Sequence, residues 1–160
     1  MNSGMNKRVI VISDVDGCLT DGKFIYTADG KVAKVYGPHD ADGVKLLKSI
    51  GVDIVFISAD KRGFPITSKR ISDMKCELHN VSEGDRIDWI KEHVKNYDIS
   101  FFFGDGIHDA KAADVVDIFI APMNARPEAK DVAEYVTPHI GGDGAFLDLA
   151  LYVEKYLKKL

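Results

Sequence analysis

Three short apolar runs, RVIVIS, VDIVFIS and SFFF, each break off at a polar tip, which carries Asp14, Ser58 and Asp105 respectively. Runs of strand length that end in turn residues, separated by stretches of helical periodicity, predict strands alternating with helices. That alternation indicates an α/β fold with a mainly parallel sheet. A fourth run, VVDIFIAP (115–122), reads as another strand stopped by Pro122, and YVT (135–137) as a short fifth. Helices are expected in ADGVKLLKSIG, FPITSKRISDMKC, EGDRIDWIKEHVKNY, HDAKAADVV, RPEAKDVAEY and AFLDLALYVEKYLKKL. In the third, Ile87, Ile90 and Val94 form one apolar stripe; in the last, Phe146, Leu149, Val153, Tyr156, Leu157 and Leu160 do the same. Both stripes read as core, and Gly51 suits the position that closes the first helix.

The segment GKFIYTADGKVAKVYG differs: two β-prone arms flank Asp29-Gly30, a pair able to supply the positive φ of a tight turn. A hairpin at about 23–36 is expected, inserted after the first strand. It lies near the carboxyl ends of the strands, where open α/β sheets bind ligands, and can act as a lid or an oligomer contact.

The chain has 160 residues, 46% of them hydrophobic, which suits one domain over 1–160. Its formal net charge is −4, without a basic block, so nucleic acid is not an expected partner. The apolar runs are too short to cross a bilayer, and MNSGMNK lacks the apolar region of a signal peptide; a cytoplasmic, membrane-free protein is expected. Cys18 and Cys76 are too few for a disulfide framework and lack metal-site spacing. Cys18 reads as a small residue packed in the opening loop.

The opening strand runs into DVDG, in which only Val15 separates Asp14 from Asp16. Carboxylates held that close at a strand tip repel unless a cation or a shared proton offsets them. Asp105 and Asp109 supply a second acidic pair after another apolar strand. If both tips reach one sheet edge, the oxygens can converge on a hard cation. Mg2+ is favoured, because no His or Cys cluster accompanies them, and Asp109 can act directly or through water. Beside such a cation Asp14 can attack phosphorus, and Asp16 can protonate the departing alkoxide and then deprotonate water. Ser58 can donate to a phosphate oxygen, and Arg86 or Lys61 can neutralise another. Alone, each aspartate reads equally well as a turn or helix cap, Ser58 as an N-cap, and Arg86 as a partner of Asp85 or Asp88. The constellation favours a site. His39 is a candidate substrate hydrogen bond; His108 alone signals no metal.

DVDGCLTDG resembles the nucleophile motif of the haloacid dehalogenase superfamily, Ser58 its short hydroxyl motif, and GDGIHD its distal acidic motif. The similarity runs from about Val9 to Leu149. With the early hairpin, HDADGVKLL, APMNARPEAKDVAEYVT and GGDGAF, it is closest to the capless 3-deoxy-octulosonate 8-phosphate and nonulosonate 9-phosphate phosphatases. The resemblance implies a Rossmann-like three-layer sandwich with a small hairpin insertion and no large cap domain. It also implies Asp14 as nucleophile, Asp16 as general acid/base, and a Mg2+ site made by Asp14, the Asp16 carbonyl, Asp105 and Asp109. Substrate contacts are assigned to His39, Asp40, Lys61 and Arg62. A homotetramer is implied, in which hairpins and neighbouring chain ends help enclose the active site and the GGDGAF segment can contact a substrate across a subunit boundary. The implied activity is hydrolysis of a small sugar phosphate in carbohydrate biosynthesis. The alternatives are transfer of phosphate to another acceptor and a catalytically weak scaffold subunit associated with sugar-activating enzymes. Two positions depart from the group. SADKRG replaces the usual TGR pattern, with Asp60 at the arginine position, and Arg86 stands where lysine is usual. An added anion there is unfavourable beside an acidic sugar unless it is paired, and arginine brings a planar, bidentate fork in place of a point charge.

Overall fold

A computed structural model describes residues 7–160. The chain order is β1 (Val9–Asp14), β2 (Ile25–Thr27), β3 (Gly30–Ala33), α1 (His39–Ser49), β4 (Asp53–Ser58), α2 (Phe64–Asp73), β5 (Glu77–Asn80), α3 (Arg86–His93), β6 (Ile99–Phe103), α4 (Ile107–Ala110) with a 3-10 turn (Lys111–Asp114), β7 (Ile118–Ala121), α5 (Pro127–Val132), β8 (Tyr135–Val136) and α6 (Ala145–Lys158). Six strands form one parallel sheet in the order β5-β4-β1-β6-β7-β8, and β2 and β3 form a separate antiparallel hairpin. This is the expected α/β, Rossmann-like arrangement with a small hairpin and no large cap.

Alternate residues of each central strand feed opposite faces of the sheet. Val9, Val11, Phe56, Phe101 and Phe103 pack with Val44 and Leu47 of α1 and with Phe146, Leu149 and Val153 of α6. Ile10, Ile12, Val55, Ile57, Phe102 and Phe119 pack on the other side with Ile90 of α3 and Ala129 of α5. Strands buried on both faces account for the unbroken apolar runs. The ring of Phe146 lies so close to Gly43 that a Cβ there would sit 2.7 Å from it, so α1 and α6 approach over a glycine.

Some boundaries differ from the sequence expectation. β5, ELHN, was not expected: it is a polar edge strand with half-exposed side chains and carries no apolar run. HDAKAADVV divides into α4 and the 3-10 turn, and α5 stops at Val132 because Ala133 is extended. Leu160 is exposed rather than part of the α6 stripe. In the hairpin only Gly30 takes a positive φ (101°) and it pairs with Thr27, so Asp29 does not share the left-handed turn. Gly51 does adopt a positive φ (78°), directly after the Ile50 cap of α1.

From β1 the chain crosses to β4 and outward to β5, then returns to β6 on the opposite side of β1. The connections diverge between the carboxyl ends of β1 and β6, and a crevice opens at such a switch point. Asp14 ends β1 at that crevice, and Asp105 lies two residues beyond β6.

Candidate active site

Asp14 is 8% exposed, and its Oδ1 accepts the Val15 N–H at 2.9 Å. The turn after it is drawn tight by Thr20, whose Oγ1 accepts the N–H groups of Gly17 (3.2 Å) and Gly22 (3.1 Å). Gly17 has φ 89°, and a side chain there would run into the Asp105 carboxylate, so glycine is needed for two reasons. Asn124 locks the turn from outside: its amide donates to Gly17 O at 3.0 Å and accepts the Gly141 N–H at 2.8 Å. The APMNARPEAK and GGDGAF segments therefore brace the opening loop of their own chain.

The carboxylates of Asp14 and Asp105, with the Cys18 sulfur, lie within 4.8 Å of one another. Burial, then the neighbouring Asp109 carboxylate, pushes Asp14 well above the usual carboxylate range. Burial likewise raises Asp105, to about 6. A buried and a half-buried carboxyl that face each other need a shared proton or a cation between them. Burial and the same carboxylates raise the Cys18 thiol, which points to the Phe103 carbonyl at 3.8 Å and stays protonated. The donors left are hard oxygens, and they fit a Mg2+-class ion better than a thiophilic metal.

Asp109 is 1% exposed and has both oxygens engaged: Oδ2 accepts the N–H groups of Asp105 and Gly106 at 3.1 Å each, and Oδ1 accepts Arg86 Nη1. It shapes the Gly104–Gly106 turn that presents Asp105. Arg86, the first residue of α3, is 4% exposed; its Nη2 lies 4.0 Å from Asp14 Oδ1 and its buried Nε has no partner. Ser58, at the tip of β4, is buried and its Oγ accepts the Asp60 N–H at 3.1 Å.

The hairpin supplies two cations that sequence reasoning missed. Lys34 Nζ lies 2.8 Å from Asp16 and 2.9 Å from Asp60, and donates to Thr67 Oγ1 at 2.9 Å; Lys31 Nζ lies 2.7 Å from Asp60. Burial opposes the charge on Lys34, but Asp16 and Asp60 outweigh it and hold its pKa up. Burial also opposes ionisation of Asp60, yet Lys31, Lys34 and the Gly63 N–H keep it well below the usual range. The anion at the unusual position is thus paired, and it anchors the hairpin over the crevice. A cleft of about 280 Å3 remains, lined by Asp14, Asp16, Lys31, Asp60, Arg86 and Asp109 together with Ala59, Glu83, Gly106 and His108. His108 sits on its rim, 3.0 Å from Glu83.

None of His39, Asp40, Lys61 and Arg62 lines this cleft. His39 is exposed beside Asp42, and Lys61 and Arg62 are not buried. Asp40 is 1% exposed and turned inward, 3.7 Å from Arg70, with neither oxygen hydrogen-bonded. Burial raises it to about 7 against the opposing charge of Arg70. A carboxyl with a higher pKa folded than unfolded costs stability as pH rises between those two values. The native protein is therefore expected to lose roughly 1–3 kcal/mol relative to Asp40→Asn between about pH 4 and 7. Urea midpoints of the two proteins at pH 4.5 and 8 read this; a constant difference refutes it.

No family model matches the chain. Among curated proteins it is 28% identical over 154 residues to the 3-deoxy-D-manno-octulosonate 8-phosphate phosphatase KdsC of Haemophilus influenzae, covering 94% of this chain and 84% of that one. The cobalt-bound deoxy-D-mannose-octulosonate 8-phosphate phosphatase structure from Haemophilus influenzae superposes with a TM-score of 0.82 at 25% identity, covering 98% of this chain and 93% of the other. The 3-deoxy-D-manno-octulosonate 8-phosphate phosphatase of Moraxella catarrhalis, solved with a magnesium ion, a phosphate ion and a KDO molecule, shares the fold with a TM-score of 0.83 at 22% identity, over 95% of this chain and 88% of that one. Similarity along nearly the whole chain, joined to a fold that sets Asp14 and Asp105 face to face at the switch point, makes this protein similar in sequence and fold to the KdsC-type phosphatases.

Proposed function

We propose that the protein is a Mg2+-dependent phosphomonoester hydrolase that works through an aspartyl phosphate on a small sugar phosphate, of the 3-deoxy-octulosonate 8-phosphate or nonulosonate 9-phosphate class. The observation that carries this reading is the convergence of the Asp14 and Asp105 carboxylates beside a buried guanidinium, Arg86, whose Nε has no partner. Asp14, Asp105 and the Asp16 carbonyl would hold Mg2+, with Asp109 supporting Asp105. Bound there, the ion offsets the repulsion between nucleophile and phosphate and polarises the phosphoryl group.

The protein's own groups divide the chemistry. An Asp14 oxygen attacks phosphorus as the bond to the sugar oxygen breaks, and Asp16 gives its proton to that departing oxygen. Asp16, now a carboxylate, takes a proton from water; the water oxygen attacks phosphorus, and inorganic phosphate leaves with Asp14 restored. Lys34 Nζ lies 2.8 Å from Asp16, a contact that must open as Asp16 turns to the departing oxygen. Ser58 Oγ and the Arg86 guanidinium serve as donors to the nonbridging oxygens, whose charge shifts during transfer.

Phosphate release from a panel of phosphosugars with Mg2+ tests the reading. Release is expected with Mg2+ and should fall to background after chelation; none from any acidic sugar phosphate by metal-replete protein would refute the assignment. The hairpin also exposes Phe24, Ile25, Tyr26, Val32 and Val35, an apolar surface that supports assembly into a homotetramer. Light scattering is expected to read four times the chain mass, and a monomer mass at working concentration rules the assembly out.

A further inference from the structure

A second cluster of metal-binding side chains lies on the edge strand, and it shares no residue with the cleft. Glu77 and His79, two residues apart on β5, point to one face of the sheet, where His93 at the end of α3 meets them. One ligand atom from each lies within 4.8 Å of the others. We propose that Glu77, His79 and His93 bind a divalent transition ion of the Zn2+ class, which ties β5 to α3.

Three features support it. First, the donor set is two imidazoles and a carboxylate, which favours Zn2+ and its neighbours over Mg2+. Zn2+ sits about 2.0–2.1 Å from such donors, which places them about 3.3 Å apart in a tetrahedron. His79 Nε2 is already 2.6 Å from Glu77 Oε2, so a slight parting of that pair and a swing of His93 complete the set.

Second, His93 is positioned and free. Trp89, one turn earlier on α3, stacks on its ring at 3.8 Å between centroids and 17° between planes. Within the described residues no hydrogen bond or ion pair engages it. The His79 ring lies 5.7 Å away.

Third, the ion has an entry path. Glu77 and His93 line an open cleft of about 530 Å3, bordered by Asp53 and Tyr97. With three protein ligands the fourth position stays open to water, as in an exchangeable rather than closed site.

The test uses full-length, tag-free protein in excess Mg2+, which occupies the oxygen-rich site, and titrates Zn2+ by equilibrium dialysis. One Zn2+ per chain is expected for the native protein and for Asp105→Asn, with binding weakened at least about tenfold in His79→Gln and in His93→Gln. Trp89 is the sole tryptophan, so its fluorescence reports the same site when Ni2+ is the probe, and quenching is expected in the native protein and in Asp105→Asn but in neither histidine variant. Circular dichroism is expected to show that these half-buried substitutions leave the fold intact. Equal Zn2+ uptake by both histidine variants, uptake lost only in Asp105→Asn, or no uptake by the native protein overturns the assignment. Phosphate release enters none of these readouts, so the result stands apart from the proposed function.

Discussion

Asp14→Asn is expected to lower phosphate release by at least about 10^3-fold and to leave no acid-labile phosphate on the protein, because an amide cannot serve as the attacking anion. The substitution is nearly isosteric, and the amide oxygen can still accept the Val15 N–H that Asp14 accepts now. The fold should survive it. The side chain is buried opposite Asp105 and near Asp109, so the charge removed is one that its surroundings disfavour without a cation. The metal-free variant is therefore expected to melt at or above the native temperature, the usual sign of a site that holds strained charge for function. Calorimetry with and without Mg2+, alongside single-turnover labelling with a phosphosugar, separates the effects. Native-level turnover by the variant would remove Asp14 from the nucleophile role, and a large fall in melting temperature would make the loss of activity uninformative.

The parts of this fold that can be read in the sequence are those whose local chemistry is one-sided. β1, β4, β6 and β7 are buried on both faces and show it as unbroken apolar runs. β5 does not, because an edge strand with solvent beside it is held by its backbone pairing with β4, and Glu-Leu-His-Asn has no pattern that demands a sheet. The same distinction separates the site residues. Asp14, Asp16 and Asp105 follow directly from strand tips, so finding the strands finds them. Lys31 and Lys34 reach Asp60 and Asp16 across the hairpin, and Asn124 reaches Gly17 from 107 residues away. Such contacts leave no local trace. Proximity to a tip also misleads: Asp40 belongs to a motif beside the site, yet the turn into α1 sends its side chain toward Arg70 and the interior. Asp60, which in sequence looks adverse to an anionic substrate, becomes a neutralised anchor once the hairpin lysines are in place.

Arg86 separates structural from chemical importance, and its variants are expected to do so as well. Arg86 and Asp109 are 4% and 1% exposed and in direct contact, so Arg86→Ala leaves a buried carboxylate with two backbone N–H donors and no cation. Breaking a buried pair from one side costs about 3–5 kcal/mol, a large share of the roughly 5–15 kcal/mol that holds a typical domain together. That variant is expected to lose both stability and activity, and alone it distinguishes nothing. Arg86→Lys retains the charge, and one ammonium can follow Asp109, so stability should fall by only about 1 kcal/mol. It cannot also present a second nitrogen toward Asp14 and a third to an incoming phosphate. Phosphate release is therefore expected to drop about 10–100-fold, mainly in kcat. The double variant Arg86→Met, Asp109→Asn removes both charges, keeps an amide oxygen for the Asp105 and Gly106 N–H groups, and should recover part of the stability lost in Arg86→Ala. If activity returned with stability in the double variant, Arg86 would be a scaffold for the turn that presents Asp105. If stability returns and activity does not, and Arg86→Lys with Asp109 intact also keeps stability while losing activity, the guanidinium acts on the phosphoryl group, as its distance of 4.0 Å from Asp14 implies.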